Sequence, residues 1–178
     1  MKKGWKQIVL SAMMLTMLIT VPTSAAEMPQ RENVKQEETI LLPSGTTYSK
    51  DATNGMARGQ IIASVSSEII NEEHGDIGVV IDTLCHVECE QIRNIAILDR
   101  YNEETGQWVE QERHDFIANK EDFPNEPLTA LINGFTIKNQ ETGYYYRIRG
   151  IHSVSTPAGK GQVSATRTDG ILLTEYVG

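Results

Sequence analysis

Cysteine, aromatic residues and positive charge are scarce in this chain of 178 residues. Two cysteines exclude a disulfide-rich scaffold, and they provide only half of a four-cysteine zinc site. Lysine and arginine number 16 against 24 acidic residues, and the net charge of −8 predicts no binding to nucleic acid. No segment sustains apolar residues at spacings of three and four, which argues against a mainly helical fold.

Long apolar runs are also missing, apart from one near the N-terminus. Three lysines in the first six residues precede an apolar stretch at 8–21, and small residues follow it at 22–26. This order is typical of a secretory signal peptide. We therefore predict that residues 1–26 are a signal peptide, that the mature protein is secreted, and that no stable membrane span remains after cleavage. A retained N-terminal anchor is the alternative.

The remaining sequence divides into a polar segment and a β-rich segment. Residues 27–57 contain prolines and glycines, so we predict a flexible leader with one short edge strand at 40–42. At 58–178, short runs rich in Val, Ile, Thr and Tyr predict a single all-β domain. We expect an antiparallel immunoglobulin-like or fibronectin-like sandwich of about seven strands. The predicted strands are 60–66, 77–85, 94–101, 108–117, 128–138, 143–155 and 163–173, the last with a bulge or turn at Asp169-Gly170.

One predicted strand carries three consecutive tyrosines. Alternation places Tyr144, Tyr146 and Ile148 on one face, which we expect to point inward. One of these tyrosines is a candidate for a tyrosine corner, in which the hydroxyl bonds to the backbone upstream. His152 continues the same face, so we expect it to be partly buried and hydrogen-bonded.

The opposite face of that strand is the best candidate binding surface. Tyr145, Arg147 and Arg149 form an aromatic and basic stripe, and both residue types are enriched where proteins recognise partners. The ordinary alternative is a hydrated sheet face on which these side chains pair across strands. Trp108 allows either a core position or an exposed one, and we expect the core.

Cys85 and Cys89 suggest a disulfide, because secreted proteins favour oxidised cysteines. Positions four apart on a straight strand are about 13 Å apart, whereas a disulfide needs Cα atoms at roughly 4.4–6.8 Å, so the chain must turn between them. Free buried thiols are one alternative. A metal site that includes His86 is another, although structural zinc usually needs a second ligand pair.

No motif for catalysis is present in the sequence. His114, Glu112 and Asp115 can be drawn as an acid–base group, but alternation puts Asp115 on the opposite face, and no nucleophile motif accompanies them. We therefore predict a protein that is not an enzyme and that uses no metal or other cofactor.

Several strand and turn segments together resemble small secreted β-sandwich proteins of Gram-positive bacteria. These segments are 95–101, 108–109, 143–149, His152 and 166–171. The similarity covers about 59–173, and its motifs are structural. The resemblance implies a β-sandwich fold and export, and it implies no site residues because the family has no assigned activity.

These features together predict a non-catalytic extracellular binding module. The expected partner is an extracellular protein, a glycan or an envelope component. The alternative is a structural or self-assembling component of an extracellular matrix, because open sandwich edges can add strands between copies.

Overall fold

The structure, a computed structural model, describes residues 40–55 and 60–176. The predicted signal peptide and residues 27–39, 56 and 57 of the predicted leader lie outside the described residues. Within the described part of the chain, no helix is both long enough and apolar enough to cross a membrane. One short 3-10 turn at Lys120–Asp122 is present, and strands make up the regular structure otherwise.

Nine antiparallel strands in the described residues build two sheets. The strands are β1 (Tyr48–Asn54), β2 (Ile62–Asn71), β3 (Ile77–Cys85), β4 (Gln91–Asn102), β5 (Gln107–Asn119), β6 (Ala130–Ile137), β7 (Tyr145–Ser155), β8 (Gly161–Arg167) and β9 (Ile171–Leu172). The four-stranded sheet has the order β1-β2-β3-β6, and the five-stranded sheet has the order β5-β4-β7-β8, with β9 pairing with β7 beyond the end of β8.

The two sheets pack face to face, which confirms the predicted sandwich. The chain crosses from one sheet to the other after β3, after β5 and after β6, so strands that are distant in sequence become neighbours, as in immunoglobulin-like folds. The count exceeds the predicted seven for two reasons. β1 was not expected, and the last predicted strand is divided at Asp169-Gly170 into β8 and β9.

The folded sandwich includes part of the range 27–57 that we had assigned to a flexible leader. β1 lies in that range, and Leu41, within the short edge strand expected at 40–42, forms a parallel bridge with Gly170. Two side chains of β1 also bond to the end of β8 and to the segment that follows it. Asp51 Oδ2 accepts a hydrogen bond from the Arg167 amide at 2.7 Å, and Ser49 Oγ accepts one from the Asp169 amide at 3.0 Å.

The interior is built from alternate residues of each strand, as the period of two predicted. Two apolar clusters result. The larger cluster consists of Ile69, Ile77, Val79, Ile81, Ala96, Leu98, Ile137, Tyr146, Ile148, Ile171 and Leu173. The smaller cluster consists of Ile61, Ile62, Val65, Cys89, Ile92, Ala118, Leu128 and Val154.

Tyr146 forms the predicted tyrosine corner. Its ring is buried, and its hydroxyl donates to the backbone carbonyl of Glu141 at 2.9 Å. This bond ties the turn before β7 to the core. Tyr144 does not share this inward face, because β7 begins only at Tyr145 and strict alternation does not extend to the residue before it.

Candidate functional site

The outer face of the five-stranded sheet carries the three residues predicted to bind a partner. Tyr145, Arg147 and Arg149 alternate along β7 with the buried positions, as expected. Arg147 Nε donates to Asp99 Oδ2 at 3.0 Å. Arg149 donates to both oxygens of the same carboxylate, at 2.6 and 2.8 Å. The two guanidinium groups therefore converge on one carboxylate, whose side chain is only 2% exposed.

This carboxylate engages the two arginines in different ways. Its hydrogen bonds raise the pKa of Arg149, whereas burial lowers the pKa of Arg147 in spite of the same partner. Arg149 makes two bonds to Asp99 and also faces Glu110, whereas Arg147 makes one bond and its side chain is only 13% exposed. Both side chains keep their charge at neutral pH because arginine starts from a very high pKa. The stripe is thus a paired sheet face of the kind we named as the alternative.

The ion pairs continue onto β5. Arg149 Nη2 lies 3.3 Å from Glu110 Oε2, and Arg113 donates to both oxygens of Glu110 at 3.2 and 3.3 Å. The hydrogen bond from Arg113 lowers the pKa of Glu110. Because Asp99 and Glu110 are register partners, these arginines hold the outer part of the β4–β5 hairpin against β7.

Trp108 packs on one of the two arginines. The guanidinium carbon of Arg147 lies 4.4 Å from the centre of the indole ring, which is cation–π geometry. The indole also reaches Gly170, where an added Cβ would lie 2.7 Å from Cη2. Trp108 belongs to neither of the two apolar clusters, so our expectation of a core position is wrong. Its contact with Arg147 accords with the low exposure of that guanidinium group, whose side chain is 13% exposed.

A groove with a volume of about 580 Å³ lies beside the hairpin tip. On one wall, the Arg100 guanidinium stacks on the Tyr144 ring at 4.7 Å and also donates to Glu141 at 2.9 Å. Tyr144 is 38% exposed. The groove thus offers aromatic, cationic and carboxylate groups together. Its lining residues are Arg100, Tyr101, Asn102, Glu103, Glu104, Val109, Gly143 and Tyr144.

The β4–β5 hairpin that forms one side of the groove turns between the predicted strands at 94–101 and 108–117. Gly106 has a φ of +66°, and its amide donates to the carbonyl of Asn102 at 2.9 Å. The side chain of Asn102 accepts from the amides of Glu104 and Thr105 at 3.0 and 3.1 Å. These bonds order the loop that carries the acidic side of the groove.

The chain turns between Cys85 and Cys89, as a disulfide would require, but both thiols are free. The amides of the two residues donate at 2.8 Å to the carbonyls of Thr129 and Leu128, which anchors both ends of the turn. Burial raises the pKa of Cys85 to about 12 and also raises the pKa of Cys89. The thiolate form needed for exchange is therefore disfavoured. His86 Nε2 lies 3.1 Å from the carbonyl of Gly55.

A layer of polar side chains crosses the interior between the two apolar clusters. Each member is at most 4% exposed, and each comes from a different strand. On β2, for example, the polar residue lies between Val65 of the smaller cluster and Ile69 of the larger one. The polar layer consists of Ser67, Thr83, Asn94, His152 and Thr166. Only His152 was anticipated from the sequence.

Hydrogen bonds run through the polar layer in one direction. Asn94 Nδ2 donates to backbone carbonyls, so its Oδ1 accepts, and Thr83 Oγ1 donates to it at 2.6 Å. The Thr83 oxygen then accepts from His152 Nδ1–H at 2.9 Å. His152 Nε2 accepts from Thr166 Oγ1 at 2.9 Å, and Thr166 accepts from Ser67 at 2.6 Å. This order assigns a neutral imidazole with its proton on Nδ1.

Protonation of His152 is unfavourable inside this layer. Burial lowers its pKa from 6.5 to about 4, and the carboxylates of Asp82 and Asp51 oppose that shift only in part. A second proton on Nε2 would require the hydroxyl of Thr166 to turn and accept, and the hydrogen bond between Thr166 and Ser67 to reverse its direction. The hydrogen-bond order described above therefore belongs to the neutral imidazole.

We expect the free energy of unfolding to fall by up to about 3 kcal/mol as the pH drops from 6.5 to about 4. In that window the unfolded chain binds a proton that the folded protein excludes, so acid favours unfolding. Urea unfolding across this range measures the slope. His152→Gln should be less stable at neutral pH and should lose this part of the slope. An NMR titration of the folded protein that shows His152 ionising near 6.5 would contradict the assignment.

His114 and Glu112 on β5 contact each other, whereas Asp115 has a different partner. His114 Nε2 lies 2.9 Å from Glu112 Oε1, on the shared face that alternation predicted. Asp115 pairs instead with Arg93. The imidazole of His114 also stacks against Phe135 of β6 at 4.5 Å, so it helps to join the two sheets on their open side.

Comparison with known proteins identifies no family for this chain. No protein-family model matches it, and no curated protein matches it. Within residues 40–55 and 60–176, no group of three or more His, Cys, Asp or Glu side chains is placed to hold a metal ion. The groove and the sheet surfaces are the candidate binding sites of the described residues.

Proposed function

We propose that this protein is a secreted, non-catalytic module that binds an extracellular protein, a glycan or an envelope component. The groove beside Tyr144 is the observation that carries the proposal. It combines accessible aromatic surface with a guanidinium and two carboxylates. Ligand sites use this mixture because rings provide contact area and polar groups fix orientation.

Arg147 and Arg149 support the groove from the neighbouring face. They bind Asp99, which directly precedes Arg100 on β4. Fixing Asp99 also fixes the strand that presents Arg100 to Tyr144. Arg149 is the more exposed of the two arginines, so a partner that extends from the groove onto this face would meet it first.

A glycan is the partner class that the groove favours. Its walls provide hydrogen-bond donors from Arg100 and acceptors from Glu103 and Glu104, beside the rings of Tyr101 and Tyr144. Charges of both signs are present, so the groove does not select strongly for a charged ligand. Uncharged hydroxyl groups can use both the donors and the acceptors.

Tyr144→Ala is expected to weaken binding to purified Gram-positive cell walls by about tenfold or more, because it removes a ring from the wall of the groove. Tyr48→Ala is the matched control, since Tyr48 is 44% exposed on β1, in the other sheet. Binding isotherms of the labelled protein on wall preparations give the affinities. Equal binding by Tyr144→Ala and the wild type would remove the groove from consideration.

A structural or self-assembling role is the second candidate. The outer edge of β6, which has no strand partner among the residues that the structure describes, favours it, and that edge lies in the other sheet from the strands that form the groove.

A further inference from the structure

β6 is an edge strand without a single charged side chain. Its sequence is ALINGFTI, and within the described residues β3 is its sole strand neighbour. Ile132 on this strand is 65% exposed. Natural proteins usually protect a strand edge with charge, proline or a covering segment, because unpaired backbone groups invite another strand. An uncharged segment with strong β-propensity and no proline lacks these protections.

The other long edge strands in the described part of the chain are protected. β5 carries Glu110, Arg113 and Asp115, each held in an ion pair. β1 carries Lys50 and Asp51, and β8 carries Arg167, whose amide also donates to Asp51. Among the described edge strands longer than two residues, β6 alone has no charged side chain.

The backbone of β6 presents its free groups beside its exposed side chains. The amide of Cys85 donates to Thr129 at 2.8 Å, and this fixes the phase of the β3–β6 ladder. Odd-numbered residues of β6 therefore bond to β3, and even-numbered residues direct N–H and C=O away from the sheet. The even-numbered residues are also the exposed ones, namely Ala130, Ile132, Gly134 and Thr136.

We propose that two copies of this chain associate through antiparallel pairing of their β6 strands about a two-fold axis at Asn133. In this register Ile132 lies opposite Gly134 of the second copy, and Ala130 lies opposite Thr136 of the second copy. Each pair exchanges two backbone hydrogen bonds, and the two four-stranded sheets become one sheet of eight strands.

A second copy fits this edge because the pairing is self-complementary. The same strand serves both partners, as a two-fold interface requires. Elsewhere two copies of a chain with a net charge of −8 repel each other, but β6 contributes no charge to the contact. The space above Gly134 is open, since an added Cβ there would meet nothing within 4 Å. That space accepts the exposed Ile132 side chain of the second copy.

Sedimentation velocity of the full chain over a range of concentrations tests this dimer. The wild type should shift toward twice the monomer mass as concentration rises. Ile132→Glu should dissociate at least tenfold more readily, because it places like charges close to the axis. Val163→Glu is the matched control on β8, where Val163 is 69% exposed, and it should associate as the wild type does.

Gly134→Pro tests the backbone of the edge independently of charge. Proline removes an N–H that faces away from β3, so the native ladder is kept while strand addition is blocked. Far-ultraviolet circular dichroism verifies that both variants are folded. A wild type that stays monomeric, an Ile132→Glu or folded Gly134→Pro variant that associates normally, or equal loss in Val163→Glu would overturn the proposal.

Hydrogen exchange on the wild type needs no variant. The amides of Ile132 and Gly134 should become protected as concentration rises, because each would donate to the second copy. Exchange at these two amides that stays independent of concentration, while the protein dimerises, would assign the interface elsewhere and overturn the proposal. Binding to cell walls is measured separately, so failure of the dimer and failure of the groove are distinguishable.

Discussion

Asp99→Ala is expected to lower the free energy of unfolding by about 3–5 kcal/mol, since removing one partner of a buried ion pair leaves the other charge uncompensated. Here two guanidinium groups lose their common acceptor, and Arg147 lies under the indole of Trp108. The loss should also release the outer part of the β4–β5 hairpin. Urea unfolding followed by circular dichroism measures the change.

Asp115→Ala is the matched control for Asp99→Ala. Asp115 also faces an arginine on the outer side of the five-stranded sheet, but the side chains of Arg93 and Asp115 are 41% and 37% exposed. An exposed pair of this kind contributes little to stability because water and salt screen it, so Asp115→Ala should cost far less than Asp99→Ala. Equal effects of the two substitutions would show that burial of Asp99 has no energetic consequence.

Gly150→Ala is expected to destabilise the protein by about 3 kcal/mol or more, the upper range for an overpacked core. A Cβ at this position would lie under 3.0 Å from Ser67 Oγ, Thr166 Oγ1 and His152 Nε2. None of these atoms can withdraw without breaking a bond of the polar layer. The effect combines steric overlap with the loss of buried hydrogen bonds. Thermal and urea unfolding at neutral pH give its size.

Gly134→Ala provides the comparison for Gly150→Ala within a strand. The site is open, and alanine restricts the unfolded chain more than glycine does. We therefore expect Gly134→Ala to raise the free energy of unfolding by about a few tenths of a kcal/mol. The comparison is made at low protein concentration to keep the β6 edge free. If Gly150→Ala were as well tolerated as Gly134→Ala, the polar layer would not be tightly packed.

The sequence predicts the fold because its strands alternate cleanly. The inward positions of β7 follow from a period of two, and the tyrosine corner follows from Tyr146 and the turn before it. β1 was missed for the opposite reason. Its residues are polar, and it is held by backbone pairing with β2 and by Ser49 and Asp51, which contribute no hydrophobic pattern.

The site residues were harder to predict than the strands. Alternation places Arg147 and Arg149 on the correct face. It does not indicate that both bind Asp99, because β4 is far from β7 in the sequence although the two strands pair in the sheet. Trp108 was assigned to the core because large aromatic residues are usually buried, and a cation–π contact on an outer face leaves no local pattern. These contacts depend on sheet order, which single strands do not encode.

The polar layer left a signal that could have been used. Ser67, Thr83 and Asn94 each occupy an inward position of a strand whose inward neighbours are apolar. A buried polar side chain at such a position needs a hydrogen-bond partner. Three of them at a similar depth in the core predict that they bond to one another or to a shared neighbour. The pairing itself, and the direction of its hydrogen bonds, required the packing of both sheets.

The sharpest test of the proposed function compares two adjacent tyrosines in one assay of binding to purified Gram-positive cell walls. Tyr144 contributes to the groove, whereas Tyr145 lies on the outer face with Arg147 and Arg149. We predict that Tyr144→Ala loses about tenfold or more in affinity and that Tyr145→Ala binds as the wild type does. Loss of binding in Tyr145→Ala with full binding in Tyr144→Ala would contradict the groove and place recognition on the outer face.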